Sequence, residues 1–205
     1  MRLIDITPAV SAALEGWPGD TRFETAARWS QARGDSCTVV RITLSGHLGA
    51  HADAPLHFRR DGADAAALPL DRYAGPARVI QCPGVGAIGP AEAMWAAGAE
   101  RALYRVLPAS AGRGFPRDFP ALTPEGARTL AGLGLRLFGT DAPSVDTMDS
   151  RTLDAHHALD QGGVAILEGL VLADVPAGEY ELLALPVKWR DADAAPVRAV
   201  LRVPD

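Results

Sequence analysis

The sequence predicts a mixed α/β fold, on three observations. Eight short stretches, residues 3–7, 38–44, 78–81, 102–106, 135–139, 164–172, 180–185 and 197–203, have the length and the apolar or β-branched character of strands. Only residues 90–98, 123–133 and 151–161 carry helical signals. At 205 residues, 48% hydrophobic and 22% charged, the chain can bury a sizeable core, expected as one domain over residues 1–205.

The elements are bounded by local chemistry. The Gly/Pro-rich stretches 83–90 and 111–116 read as surface loops. Thr123-Pro124-Glu125 has the form of a helix start, a capping hydroxyl followed by proline at the first position. Asp149-Ser150 reads as the cap of the helix over 151–161, and Gly162-Gly163 as its stop. The run 164–172 that follows is a strand of apolar residues interrupted by one carboxylate, Glu168.

Composition narrows the function classes. A net charge of −5 and no basic stripe argue against nucleic acid as a partner, which leaves small molecules. Cys37 and Cys82 lie outside any C-x-x-C motif and read as reduced core residues. No window has the roughly 20 apolar residues of a membrane span and no signal-peptide stretch is seen, so a cytoplasmic enzyme is expected. No Gly-x-Ser-x-Gly elbow is present to suggest a serine nucleophile.

The chemistry concentrates in one segment. His47, His51, Asp53 and His57 fall within eleven residues, and the other two histidines of the chain, His156 and His157, are adjacent. Imidazole nitrogens and carboxylate oxygens are ligands of catalytic zinc-type centres. A helix over His47–His57 is disfavoured by Gly46, Gly49 and Pro55. In a straight strand His47 and Asp53 would stand roughly 20 Å apart at about 3.3 Å per residue, too far for one metal. The chain must therefore bend, and Gly49 is the residue able to do so, followed by a short extended piece. The bland alternative is a solvated polar turn. Glu168, inside an apolar strand, needs a metal or an arginine partner, because a lone buried anion costs several kcal/mol. His156 and His157 lie about 100° apart on their helix, so one of them can face a given metal, and spacing does not say which. His57 suits proton transfer, since imidazole is the side chain fitted to acid–base work at neutral pH, with a further metal ligand as the alternative.

The segments His47-Leu-Gly-Ala-His51-Ala-Asp53-Ala-Pro-Leu-His57-Phe58, Gly139-Thr-Asp-Ala-Pro-Ser-Val-Asp146, His156-His-Ala-Leu159 and Ile166-Leu-Glu168-Gly-Leu170 resemble the cyclase-type metal-dependent hydrolases. Within that superfamily they resemble most the bacterial kynurenine formamidase branch, where alanine stands at the position of Ala50 in place of the usual threonine. The likeness extends over nearly the whole chain. It implies a swivelling β/β/α fold, a homodimer or larger assembly, and a binuclear zinc site, with manganese, iron or cobalt as other occupants of the same ligands. His47, His51 and Asp53 would hold one metal, and Asp53 and Glu168 would bridge to a second. His156, aligned through Leu159, would be the helix ligand, and His57 the proton donor and acceptor. Trp17, in a Pro/Gly turn, would line the pocket for an aryl substrate; its alternative is packing against the core. The reaction implied is hydrolysis of N-formyl-L-kynurenine to L-kynurenine and formate in tryptophan degradation. A sister activity such as isatin hydrolysis, and a non-catalytic metal-binding module, are the alternatives.

Overall fold

The computed structural model describes residues 1–108 and 114–204. The strands are β1 Arg2–Asp5, β2 Glu24–Trp29, β3 Val39–Thr43, β4 His51–Asp53, β5 Ala74–Gln81, β6 Ala87–Ile88, β7 Arg101–Arg105, β8 Ala121–Leu122, β9 Leu137–Thr140, β10 Ala165–Glu168, β11 Gly178–Leu183, β12 Ala194–Pro196 and β13 Val200–Val203. Three α-helices, α1 Pro90–Ala93, α2 Pro124–Gly132 and α3 Asp154–Gln161, and five single-turn 3-10 helices complete the regular structure among these residues.

Nine strands form one sheet in the order β1-β13-β11-β5-β7-β9-β10-β4-β12. Its centre, β5-β7-β9-β10, is parallel, and the flanking pairs are antiparallel. The central strands are buried on both faces, as parallel strands are. Ala102, Tyr104, Phe138 and Ile166 face one apolar cluster together with helix residues such as Ala127, Leu130 and Leu159. Their neighbours Leu103, Leu137 and Leu167 face a second cluster. That second cluster joins Ala52 of β4 to Leu182 of β11 and Leu201 of β13, from opposite halves of the sheet order, so the sheet curls. Val171 N–H, just beyond β10, donates to the Ile6 carbonyl, just beyond β1, at 2.9 Å and ties the curl together.

The expected mixed α/β class is the one observed, and so is the start of α2: the Thr123 hydroxyl accepts from Gly126 N–H at 3.0 Å, with Pro124 in the first turn. Other details differ. The strand expected over 164–172 stops at Glu168, because Gly169 turns to φ +65°. The helix expected from residue 151 begins at Asp154, after Leu153 adopts φ 50°. Ser150 does cap locally, accepting from Leu153 N–H at 3.1 Å, but the first helical amides are held by Asp146, whose carboxylate accepts from Ala155 and His156 N–H at 3.1 Å each. Strand β2, rich in Ala, Glu and Arg, has weak strand propensity and forms only by pairing with β3 in an exposed ribbon. Cys37 is exposed near that ribbon and not in the core; Cys82 is buried, and both are free. The loop expected at 83–90 contains β6 with Ile88 buried, and the one expected at 111–116 lies in part outside the described residues. No helix among the described residues is long and apolar enough to cross a membrane.

Gly169 is a demanding position. A Cβ there would stand 2.3 Å from the Gly49 carbonyl oxygen, on a residue already in the left-handed region. Gly169→Ala is expected to destabilise the protein by about 2 kcal/mol or more, since left-handed geometry alone costs an alanine roughly 1–2 kcal/mol. For a chain of this size that lowers the melting temperature by about 4–8 °C; a thermal melt showing less than a 2 °C shift would contradict the close packing of these two loops.

Candidate metal centre

The site begins with a bend. Gly49 sits at φ +77° and turns the chain after His47, so that β4 can enter the sheet at His51. Strand β10 pairs with β4 in a register that sets Glu168 opposite His51. The N-terminal loop packs on the turn: a Cβ at Gly49 would meet Pro8, Leu14 and Val10 at 3.3–3.4 Å, and one at Gly16 would meet Leu48 at 2.9 Å. Helix α3 brings His156 from the third side, buried, while His157 on the same helix is half-buried and faces the Phe58 ring at 5.7 Å between centroids.

Five side chains converge. His47 Nδ1, His51 Nε2 and Asp53 Oδ1 form a triangle with edges of 3.2, 3.3 and 3.4 Å. Glu168 Oε2 lies 3.4 Å from His51 Nε2. Asp53 Oδ2 and Glu168 Oε1 lie 3.3 and 3.5 Å from His156 Nε2. These separations suit a cation better than direct pairing: tetrahedral ligands at about 2.0–2.1 Å from a metal stand about 3.3–3.4 Å from one another. Both Asp53 oxygens and His156 Nε2 are buried with no hydrogen-bond partner, an arrangement that costs several kcal/mol unless another group satisfies them. The donor set therefore fits one metal among His47, His51 and Asp53 and a second among Asp53, His156 and Glu168, with Asp53 common to both groups.

The outer ring nitrogens are anchored. His51 Nδ1 is 2.9 Å from the Gly49 carbonyl, His156 Nδ1 is 2.6 Å from Asp146 Oδ2, and His47 Nε2 is 3.0 Å from Asp193 Oδ2. A carbonyl or carboxylate oxygen only accepts, so each anchored nitrogen carries hydrogen and the inward nitrogen of a neutral ring keeps its lone pair.

The electrostatics follow from burial. Burial opposes protonation of His51, but the neighbouring carboxylates of Asp53 and Glu168 outweigh it and push its pKa up to about 10. His156 is buried as well, and Asp146, Asp53 and Glu168 together raise it well above the ordinary imidazole range. Burial would raise Asp53, yet His156, His47 and His51 hold it well below the usual carboxylate range. Without a metal, protons take the place of the cation.

Residues 4–147 match the family model described as "Putative cyclase". The chain belongs to the cyclase family. The match includes the His47–His57 segment and ends before His156 and Glu168, which likenesses to solved structures reach. One, described as a potential metal-dependent hydrolase with cyclase activity, is 27% identical over 99% of both chains with a TM-score of 0.84. Another, a predicted metal-dependent hydrolase from Bacillus stearothermophilus, is 27% identical over 98% of this chain and 97% of that one, with a TM-score of 0.82. Isatin hydrolase A from Labrenzia aggregata is 25% identical over the whole of this chain and 94% of that one, with a TM-score of 0.83.

In this cyclase-family chain the remaining residues singled out by sequence fall around the cluster. His57 is half-buried and its ring lies 4.3 Å from that of His47 and 5.6 Å from that of His156. Trp17 packs against the apolar cluster that also takes Phe58, with its ring edge-on to Phe115 at 5.5 Å. Asp146 and Asp193 were not singled out as site residues. Asp146 stood inside a family segment, which was a usable signal; Asp193, about 140 residues from its partners, carried none.

Metal must displace protons from these imidazoles. A raised histidine pKa keeps the proton bound up to higher pH, so apparent metal affinity is expected to rise with pH through neutrality, roughly tenfold per unit for each proton displaced. Titrating Zn²⁺ into weakly buffered protein at pH 7 should release protons, and a pH-independent affinity would contradict the cluster. Asp53→Ala is expected to deplete metal from both positions, read by elemental analysis of the purified variant.

Proposed function

We propose that this chain is a zinc-dependent arylformamidase that hydrolyses N-formyl-L-kynurenine to L-kynurenine and formate, a step in tryptophan degradation. The observation that carries it is the division of the cluster: His51, Asp53, His156 and Glu168 are buried, while His47 and His57 stand at its solvent side. Metals bound there would supply polarisation of the amide carbonyl and water acidified to a pKa of about 7. His57, at the rim, would pass a proton to the departing aniline-type nitrogen as the carbon–nitrogen bond breaks. The buried ligands exclude bulk water from the inner side. Trp17, on the loop packed against Leu48, offers an indole face for the aryl ring of the substrate. Alanine at position 50, itself buried, favours the formamidase branch.

A second reading is hydrolysis of a cyclic amide such as isatin, favoured by the likeness to isatin hydrolase A. The same residues serve it, since ring opening also needs a protonated nitrogen. We place the enzyme in a homodimer, supported by the β2–β3 ribbon, which leaves Trp29, Val40 and Ile42 about half exposed.

Kynurenine formation from N-formyl-L-kynurenine, followed by absorbance, should be abolished by a chelator and restored by Zn²⁺. Metal-loaded protein that opens isatin and leaves the formamide intact would establish the second reading. His57→Ala is expected to lower kcat about a hundred- to ten-thousand-fold with metal content unchanged; loss of metal in that variant would make His57 a ligand.

A further inference from the structure

We propose that Asp193 is a positioning residue that holds His47 and His57 by one carboxylate oxygen and so sets the tautomer of both imidazoles. The proposal rests on the reading of His47 as a metal ligand and His57 as the proton-transfer group. Asp193 Oδ2 lies 3.0 Å from His47 Nε2 and 3.4 Å from His57 Nδ1. The two rings are tilted by 46°. An ionised carboxylate only accepts, so the nitrogens facing it carry the hydrogens. His47 then keeps its lone pair on Nδ1, the atom within 3.3 Å of Asp53 Oδ1. His57 keeps its lone pair on Nε2, free to exchange a proton with a ligand at the rim.

The backbone that delivers this carboxylate is fixed on several sides. The Asp193 carbonyl accepts from Ala54 N–H at 2.9 Å, the Ala192 carbonyl from Ala65 N–H at 2.9 Å, and Asp191 N–H donates to Asp64 Oδ2 at 2.8 Å. The next residue, Ala194, pairs with Asp53 in the β4–β12 register. Gly46 lies so close that a Cβ there would meet the Ala194 carbonyl at 2.9 Å. Asp191 itself is held at φ 61°, one of two non-glycine residues at positive φ among those described. The other anchors, Gly49 and Asp146, each serve one imidazole and lie inside; Asp193 serves two and is half exposed, on the side open to substrate.

The test replaces the carboxylate and reads each ring separately. In ¹⁵N-histidine spectra of the zinc-loaded protein, with the His57 signal assigned from its loss in His57→Ala, the wild type should show His57 as the Nδ1–H tautomer. Asp193→Ala should shift it toward Nε2–H. Zinc affinity, measured by competition with a chromophoric chelator, should fall about 10- to 100-fold in the same variant, the usual effect of losing a hydrogen-bond partner of a metal-bound histidine. An unchanged His57 tautomer, or an unchanged zinc affinity, overturns the proposal. Neither readout depends on turnover, so inactivity of the zinc-loaded wild type toward both substrates would remove the proposed function and leave this result standing.

Discussion

The site depends on keeping two carboxylates, Asp53 and Glu168, together in the interior. Neighbouring strands β4 and β10 place them there, and each raises the electrostatic cost of ionising the other. Burial alone would drive both toward the neutral form. Three imidazoles and the Val145 N–H, 2.7 Å from Glu168 Oε1, oppose that and hold both carboxyls ionised. The same imbalance that makes the cluster expensive for a bare protein makes it selective for a multivalent cation, which satisfies several of these atoms at once.

The surrounding fold is organised so that this cluster cannot relax. Two loops lie back to back at Gly49 and Gly169, where a Cβ on Gly169 would not fit, and Gly46 approaches the Ala194 carbonyl of β12 closely as well. Leu153, at φ 50°, strains the entry to the helix that bears His156, while Asp146 caps that helix and anchors the imidazole with one carboxylate. Strain of this kind persists where neighbours over-determine the backbone. The curled sheet supplies those neighbours by bringing its two halves to one apolar cluster.

Polarity is graded across the site. Its inner residues His51, Asp53, His156 and Glu168 are buried, whereas His47, His57 and Asp193 form a rim that reaches solvent. Such grading sets buried donor atoms on one side of the cluster and imidazoles that reach solvent on the other. Phe58 and Trp17 pack, partly buried, against the apolar cluster beneath the helices.

Much of this was readable in the residue order. Short apolar, β-branched runs marked the central strands, Thr123-Pro124 marked the start of α2, and the spacing of His47, His51 and Asp53 required a bend at Gly49, because local geometry is encoded by near neighbours in the chain. Strand β2 was not readable, since its residues favour a strand only when β3 lies beside them, and the helix cap was misplaced because its carboxylate comes from a loop several residues earlier. Spacing alone left His156 and His157 equivalent; the docking of α3 onto β10 turned one of them inward. Asp193 became visible only in three dimensions, since a half-exposed aspartate in a stretch of mixed charge differs in nothing local from any surface residue until the pairing of β12 with β4 carries it about 140 residues back along the chain to His47 and His57.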